Sequence, residues 1–271
     1  MERLPPPEER LTIVLPTYDE RANISDILGA LSLLYPRARI IVADDNSTDG
    51  TVDAVETMSS SNPRISLLRR DPRDRGLSAS VMEGIQNTKT EFFVVMDADF
   101  QHPPASVRDL LMELDQGSDL VVAVRYNKMP LKSSRRYASG GAQGLASAYL
   151  FMKRQPRSAD NMSGFFGGRT ALFKEVMARK GDQFERPGFK ILFDFLKFLP
   201  RKAKLAEVKF DFGERKGGES KLNSRVIISL LRQCGFLGKA TATALSVFWV
   251  SKTGRMAGLI ALVLIAAVLV L

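Results

Sequence analysis

Two aspartates separated by one residue, Asp97 and Asp99, stand directly after the apolar run 92–96. Carboxylates at positions i and i+2 at the end of a strand can both turn toward one hard cation, and Mg²⁺ and Mn²⁺ prefer oxygen ligands of this kind. An isolated Asp-x-Asp is more commonly an ordinary solvated turn. Here the residues that follow, 100–104 (Phe-Gln-His-Pro-Pro), favour a metal site that bridges to substrate phosphates.

A second acidic cluster, residues 44–51, follows another apolar run. Residues 45–56 match the ligand spacing of a calcium-binding loop of the EF-hand type. An EF-hand needs a helix before that loop, whereas residues 39–43 are rich in β-branched side chains and typical of a strand. We therefore interpret the cluster as a strand-end loop whose first acids, Asp44 and Asp45, meet a nucleobase and a ribose.

Pro16, Tyr18 and Glu20 follow the first apolar run. A proline turn, an aromatic ring that can lie along a base and an acid for a ribose hydroxyl suit a nucleotide cleft. The alternative is a helix N-terminus with acids in its first turn, and the two interpretations are compatible. No glycine-rich loop of the dinucleotide-binding or P-loop type follows this run, so a metal must neutralise a bound diphosphate.

The stretch 212–222 is rich in glycine and in basic residues. Such a loop can fold over a pyrophosphate, with Arg215 and Lys221 offsetting the charge of a leaving group. A solvated turn is the alternative.

His102 is the only histidine in the chain, so a zinc site of the His-rich or Cys/His type cannot be assembled. A histidine-based catalytic triad would have to use this residue beside the aspartate pair. We expect His102 to be a turn residue before two prolines instead.

The elements that must position these residues alternate along the first half of the chain. Short β-branched runs predict buried strands, and the segments between them predict helices. Such alternation indicates an α/β fold with a mostly parallel sheet covered on both faces, and it places ligands at the carboxyl ends of the strands. The predicted strands are 11–15, 40–43, 65–68, 92–96 and 120–124, and the predicted helices are 24–34, 51–58, 77–87 and 107–114.

The second half is less regular. The sequence predicts a helix at 138–151, a glycine-flanked aromatic turn at 163–168, a helix at 189–198 and a strand at 207–212. The apolar stripe of residues 224–236 predicts a helix that either lies on a membrane surface or packs in the core.

Lys and Arg total 39 against 30 for Asp and Glu, which gives a net charge of +9. This excess suits an anionic partner, and nucleic acid, an anionic membrane and a phosphorylated substrate all fit. The single cysteine, Cys234, allows no internal disulfide, and no signal peptide opens the chain. Both features favour a catalytic part in the cytosol.

Residues 256–271 carry no charge. As a helix they would rise about 24 Å, short of a bilayer core of roughly 30 Å, which predicts a marginal or truncated membrane span rather than a buried core helix. Lys252 and Arg255 on the N-terminal side favour a cytosolic orientation for that end. The expected organisation is therefore a catalytic domain at 1–223, interfacial helices at 224–254 and a membrane segment at 255–271.

Together, residues 15–20, 44–51, 97–104, 163–166 and 212–222 resemble the family-2 glycosyltransferases of GT-A fold, and most closely the dolichyl-phosphate mannose synthases. The resemblance covers roughly residues 11–236. It implies metal-dependent, inverting transfer of mannose from GDP-mannose to dolichyl or another polyprenyl phosphate, with Mg²⁺ or Mn²⁺ as the cofactor. Asn161, where the family has proline, and Ala123-Val124, where Gly-Ser is common, depart from the pattern.

The resemblance also implies roles for individual residues. Asp97, Asp99 and Gln101 match the metal site, and Asp99, Arg215 and Lys221 are expected to act in catalysis. The nucleotide sugar is expected to contact Pro16, Tyr18, Glu20, Asp44, Asp45, Asp97 and Ser220. Arg125, Arg136 and Ser139 match the region that receives the lipid phosphate.

A phosphate acceptor also has a chemical basis. A sugar hydroxyl needs a general base during attack, whereas a phosphate monoester, with a second pKa of about 6, is already an anionic nucleophile. Such an enzyme needs cations to hold two anionic substrates together, and Arg125, Arg135, Arg136, Arg215 and Lys221 are candidates.

Four alternatives exist. The first, a nucleotide-binding regulator without activity, would not require both the aspartate pair and the basic loop. A polyprenyl-phosphate glucosyltransferase that uses UDP-glucose would have the same motifs. A processive polysaccharide synthase is disfavoured, because Trp249, the only tryptophan, lacks the Gln-x-x-Arg-Trp context. A basic nucleic-acid-binding protein would fit the net charge, but it would show salt-dependent binding and no metal requirement. We expect nucleotide sugar, polyprenyl phosphate and membrane as partners, and no nucleic acid.

Overall fold

The structure, a computed structural model, describes residues 6–126, 143–144 and 146–213. In these residues one sheet contains β1 (Leu11–Thr17), β2 (Arg39–Asp44), β3 (Ile65–Arg69), β4 (Phe92–Val95), β5 (Leu120–Arg125), β6 (Phe166–Arg169) and β7 (Leu205–Phe210). The helices are α1 (Arg21–Leu34), α2 (Thr51–Ser61), α3 (Leu77–Asn87), α4 (Val107–Asp115), α5 (Thr170–Lys180) and α6 (Ile191–Phe198). Further helical residues lie within 143–152.

The strand order is β3-β2-β1-β4-β6-β5-β7. Strand β6 is antiparallel to both of its neighbours, and the other pairs are parallel. Val14 of β1 therefore lies between Ile41 of β2 and Val95 of β4. The expectation of a mostly parallel sheet is confirmed. Because parallel strands end at one edge, the polar segments after β1, β2, β4 and β5 meet there.

Alternation along the strands fills both faces of the sheet. Ile13 and Leu15 belong to a buried cluster with Ile24 of α1 and Leu110 of α4. The face covered by α3, α5 and α6 is dominated by phenylalanine. There the Phe173 ring centroid lies 4.8 Å from that of Phe93 and 4.5 Å from that of Phe195. The predicted strands and helices supply the other residues named here, but Phe173 lies in α5, a helix that the sequence did not predict.

Strand β6 corrects one prediction. Residues 163–168 were expected to form a turn, but 166–169 lie inside the sheet between β4 and β5. Glycine weakens a β-strand, but the close packing around β6 requires it at these positions. A Cβ on Gly167 would come within 2.8 Å of the Phe93 carbonyl oxygen, and a Cβ on Gly168 within 2.4 Å of the Phe173 ring.

Several expectations fall outside the described residues, namely the part of the 138–151 helix before residue 143, the helix at 224–236 and the membrane segment at 255–271. The chain divides into two compact units, residues 1–220 and 221–271, and every described residue belongs to the first. Among the described helices, none combines the length and the apolar character needed to cross a bilayer. The three-part organisation therefore stays a prediction.

Tyr35, which follows α1, ties that helix to the segment behind Asp97 and Asp99. Its hydroxyl donates to the carbonyl oxygens of Pro104 and Ala105, at 2.9 and 3.0 Å, and accepts from the Arg108 N–H at 3.0 Å. Burial raises the pKa of Tyr35 to about 12.

We expect Tyr35→Phe to lower the free energy of unfolding by about 1 kcal/mol at neutral pH, because these bonds are lost. An unfolded tyrosine ionises at a pKa of about 10. The protonated Tyr35 hydroxyl therefore makes its full contribution to the free energy of unfolding below a pH of about 10. This contribution is lost as the pH rises through the raised pKa of Tyr35 in the folded state. Denaturant titrations should show the difference between wild type and variant shrinking over this alkaline range, and a constant difference would contradict the assignment.

Candidate functional site at the carboxyl edge of the sheet

The loops after β1 and β2 are tied to each other. The Asp19 N–H donates to Ser47 Oγ at 2.8 Å, and the Thr48 N–H donates to Asp19 Oδ1 at 2.9 Å. Four described non-glycine residues have a positive φ. Asp19, Asn46 and Phe100, at 52°, 66° and 65°, lie in the loops after β1, β2 and β4, and the fourth, Arg154 at 54°, lies elsewhere. Such left-handed residues cluster at binding sites, where the surrounding contacts hold the strain.

The predicted base and ribose acids differ in their surroundings. Asp44 is buried, and its carboxylate accepts from Thr17 Oγ1 at 3.0 Å and from the Ser47 N–H at 2.8 Å. These bonds fix the turn after β2. Asp45 instead faces the segment 70–76, where Arg70 Nη1 lies 2.5 Å from Oδ1 and the Gly76 N–H donates to Oδ2 at 2.9 Å. The nucleotide contacts of both acids stay predictions.

The residues predicted from the first run lie at the same edge. Pro16 is buried in β1, and Glu20 precedes α1, where its carboxylate accepts from the Asn23 side-chain amide at 2.9 Å. Glu20 is the N-cap residue of α1, but its carboxylate makes no capping hydrogen bond and the first turn of α1 contains no acid, so the alternative of a helix start with acids in its first turn is wrong. Tyr18 is 37% exposed, and the Arg75 guanidinium lies 4.7 Å from its ring centroid. The aromatic ring therefore borders solvent beside a cation.

The Asp-x-Asp turn begins directly after β4. The Asp97 side chain is 41% exposed, whereas Asp99 is only 3% exposed and its Oδ1 accepts from the Gln101 N–H at 3.0 Å. In the described residues no group of three or more His, Cys, Asp or Glu side chains could enclose a metal. One exposed carboxylate, on Asp97, next to the buried carboxylate of Asp99 fits a cation that takes its remaining oxygen ligands from a substrate diphosphate.

His102 positions this turn, a role that the sequence did not reveal. It is buried, its Nδ1 accepts from the Asp97 N–H at 3.0 Å, and its ring stacks on Phe165 at 4.9 Å. Burial lowers the pKa of His102 to about 4, so the imidazole is neutral near pH 7. Its 3.7 Å contact with the Asp97 carboxylate is therefore not an ion pair. The expected turn residue is an anchor.

We expect His102→Phe to keep the stacking but to lose the acceptor for the Asp97 N–H, which should destabilise the fold by about 1 kcal/mol and lower activity about tenfold. His102→Asn offers a side-chain oxygen near the position of Nδ1 and should retain more activity. Thermal unfolding and turnover of both variants test this. Equal activity in the two would contradict an acceptor role.

A basic group lies on the other side of β4. Arg125 ends β5, its Nε is 3.7 Å from the Asp160 carboxylate, and its guanidinium lies 4.7 Å from the Phe212 ring centroid. Two of the predicted acceptor residues, Arg136 and Ser139, lie outside the described residues, as do Arg215, Ser220 and Lys221. The Gly213 N–H donates to the Gln101 carbonyl oxygen at 3.0 Å, so residue 213, the last one described, lies beside the Asp-x-Asp turn.

Lys190 is a second basic residue, and the sequence did not point to it. Its Nζ donates to the Met162 carbonyl oxygen at 3.2 Å. Burial lowers its pKa, while Asp160 and Asp97 act in the opposite direction, so it lies within electrostatic range of both acids. In the sequence it is a single lysine before an apolar helix, a pattern with no functional signal.

Residues 12–178 match the family model named glycosyl transferase family 2. The chain belongs to this family. The matched region spans β1 to β6 and contains the Asp-x-Asp turn, so the resemblance inferred from the motifs is confirmed.

Curated relatives agree with this assignment. Dolichol-phosphate mannosyltransferase of Pyrococcus furiosus is 35% identical over 229 residues, which are 82% of this chain and 62% of the relative. The enzyme of the same name from Saccharomyces cerevisiae is 32% identical over 237 residues, 82% of this chain and 84% of the relative. The chain thus spans less than two thirds of the Pyrococcus relative.

Solved structures support the fold. Glucosyl-3-phosphoglycerate synthase from Mycobacterium tuberculosis with uridine diphosphate is similar with a TM-score of 0.59 and 23% identity, over 83% of this chain and 80% of that chain. A complex of the same enzyme with Mn²⁺, UDP-glucose and phosphoglyceric acid has a TM-score of 0.56 and 21% identity over the same shares. The expected GT-A fold is confirmed.

Proposed function

We propose that this chain transfers mannose from GDP-mannose to the phosphate of a polyprenol such as dolichol, with inversion at the sugar. The observation that carries the proposal is the position of the Asp97–Asp99 turn in the sheet. It follows β4, with the aromatic and acidic residues after β1 and β2 on one side and Arg125 after β5 on the other. The names of the curated relatives favour mannose and a polyprenyl phosphate.

Donor binding is assigned to the first side. Tyr18 offers a partly exposed ring to a base, and Asp45 lies within the same group of loops. Asp97, Asp99 and Gln101 would hold Mg²⁺ or Mn²⁺, which when bound neutralises the diphosphate leaving group. Hard carboxylate oxygens suit either ion, and the Mn²⁺ complex of the similar glucosyl-3-phosphoglycerate synthase favours a divalent metal.

Acceptor binding is assigned to the second side. Arg125 provides positive charge next to Asp160, and the Lys190 amine lies within electrostatic range of Asp160 and Asp97, where an anionic phosphate must approach an anionic donor. An ionised phosphate attacks without a general base, so the side chains need only to orient it and to balance its charge. Asp160 beside Arg125 holds that guanidinium in place.

A polyprenyl phosphate places the reaction at a membrane. We assign the catalytic unit to the cytosolic face, because the donor is water-soluble and the single cysteine indicates a reducing compartment. The basic balance of the chain suits an anionic lipid surface as well as two phosphorylated substrates. Family membership favours this interpretation of the charge over binding to nucleic acid.

The decisive experiment compares GDP-mannose with UDP-glucose at equal concentration, each with the same polyprenyl phosphate and with Mg²⁺, Mn²⁺ or a chelator. We expect lipid-linked mannose and release of GDP only when the acceptor and a metal are present. If sugar were transferred from UDP-glucose but not from GDP-mannose, the chain would be a polyprenyl-phosphate glucosyltransferase and the proposed donor would be wrong. Nucleotide release without an acceptor would indicate hydrolysis and would overturn the assignment of the acceptor.

A further inference from the structure

Arg70 is a buried arginine at the wall of the nucleotide side. It follows β3, and its side chain is 0% exposed. Nη1 lies 2.5 Å from Asp45 Oδ1, and Nη2 lies 2.9 Å from Glu83 Oε1 and 2.5 Å from the Asp74 carbonyl oxygen. A buried charge of this kind persists only when it is paired and hydrogen-bonded. Nothing in the sequence interpretation used this residue.

The contacts of Arg70 fix a loop as well as a carboxylate. By binding the Asp74 carbonyl oxygen, Arg70 holds the turn from which the Gly76 N–H reaches the second oxygen of Asp45. Gly76 has φ 149°, and a Cβ there would come within 2.4 Å of the Arg186 carbonyl oxygen. Between Asp74 and Gly76, Arg75 extends to the Tyr18 ring. One guanidinium thus connects the loops after β1, β2 and β3.

The shape of the guanidinium matters as much as its charge. Its two terminal nitrogens serve two different elements, the Asp45 turn and α3 with Glu83, and Nη1 also lies 3.2 Å from Ser80 Oγ. A lysine ammonium is a compact charge and cannot span both partners. Nε is buried and finds no partner among the described residues, so the two terminal nitrogens account for the binding.

We propose that Arg70 is a positioning residue for the donor nucleotide, acting through Asp45 and through the Arg75–Tyr18 pair. The proposal rests on the proposed function only in treating this wall as the donor pocket. With Asp45 held from two directions, its carboxylate presents a fixed edge to the nucleoside. Without that hold, the Asp45 side chain and the 74–76 turn relax, and the nucleoside loses a preorganised contact.

Arg186 is a control residue that distinguishes a role in positioning the nucleotide from a role in stability alone. Its guanidinium pairs with the Asp74 carboxylate and lies 3.5 Å from Glu83, so it shares two partners with Arg70. No contact joins its side chain to Asp45 in the described structure. A substitution that weakens the Arg186 contacts should therefore disturb the same ion network without freeing the Asp45 carboxylate.

The test measures binding of GDP and of UDP to the full chain by calorimetry, and donor and acceptor KM values where turnover is present. We expect Arg70→Lys to raise the dissociation constant of the bound nucleotide and the donor KM about tenfold, while the acceptor KM and kcat stay unchanged. The same substitution at the neighbouring Arg69, exposed and paired with Glu56, should change nothing. Arg186→Lys should lower the melting temperature without changing nucleotide affinity.

Unchanged nucleotide affinity in a folded Arg70→Lys variant would overturn the proposal. An equal loss of nucleotide affinity in Arg186→Lys would overturn it too, because the ion network would then have a structural role only. Should Arg70→Lys fail to fold, the double variant Arg70→Met with Glu83→Gln removes the partly exposed Glu83 carboxylate together with the cation and leaves Asp45 without its arginine partner. Weakened nucleotide binding in that folded variant supports the proposal, and wild-type binding refutes it. Because binding is measured without acceptor, absence of mannose transfer would not affect either outcome.

Discussion

Replacing Asp99 by Asn is expected to reduce sugar transfer about 1000-fold, the factor that a loss of several kcal/mol of metal-derived charge stabilisation produces. The fold should persist, because an asparagine oxygen can still accept the Gln101 N–H that Asp99 Oδ1 accepts at 3.0 Å. Asp99 is almost fully buried, so loss of its charge should not destabilise the chain. Activity and thermal unfolding are measured together.

A matched control is Asp26→Asn, which removes one negative charge from the exposed surface of α1. It should leave turnover unchanged. A second measurement isolates the metal: affinity for a nucleoside diphosphate should rise when Mg²⁺ or Mn²⁺ is added to the wild type, and this gain should vanish in Asp99→Asn. Normal turnover in Asp99→Asn, or an undiminished gain on adding metal, would refute the assignment of the metal to this turn.

The sequence predicted the position of a site residue where the local pattern of apolar residues determines the strand or helix that carries it. The buried β-branched runs gave strands whose bounds differ from the structure by a residue or two, and helix 77–87 coincides with α3. A strand was also expected before the calcium-loop match at 45–56, and β2 in that place confirms the argument against an EF-hand. These successes follow from apolar periodicity, which depends only on neighbours along the chain.

The failures have a different physical origin. The glycines of β6 suggested a turn. They are required because the Phe93 backbone and the Phe173 ring, both distant in sequence, leave no room for a Cβ. Helix α5, which follows them, was not anticipated either. The strand expected at 207–212 lies two residues earlier, at Leu205–Phe210, because pairing with β5 sets its position.

Side-chain partners in the site depend even more on tertiary contacts. His102 is an anchor because Asp97, Phe165 and Phe210 surround it, and Arg70 is buried because three acids converge on it. Neither environment has a sequence signature. By contrast, the Asp-x-Asp motif could be placed at once, since its position after an apolar strand fixes where it lies in a parallel sheet.

Arg125→Gln is the second substitution with a large expected effect. We expect kcat/KM for the polyprenyl phosphate to fall about 100-fold, because a charge-assisted, two-pronged contact to an anion is worth up to about 3 kcal/mol. Nucleoside diphosphate affinity should be unchanged, since the residues assigned to the nucleotide follow β1 and β2, across β4 from Arg125. Arg125→Lys should recover only part of the loss, because an ammonium lacks the planar fork.

The control for Arg125 is Lys209→Gln on the neighbouring strand β7. Lys209 is exposed, its Nζ lies 5.7 Å from the Tyr126 ring centroid, and its loss changes the net charge by the same amount. If Arg125 acts only through the general positive field, both variants should weaken the acceptor equally and added salt should weaken the wild type likewise. If Arg125 grips the phosphate, the loss is confined to Arg125 variants and to the acceptor KM. A rise in donor KM instead would move Arg125 from the acceptor to the donor side of the reaction.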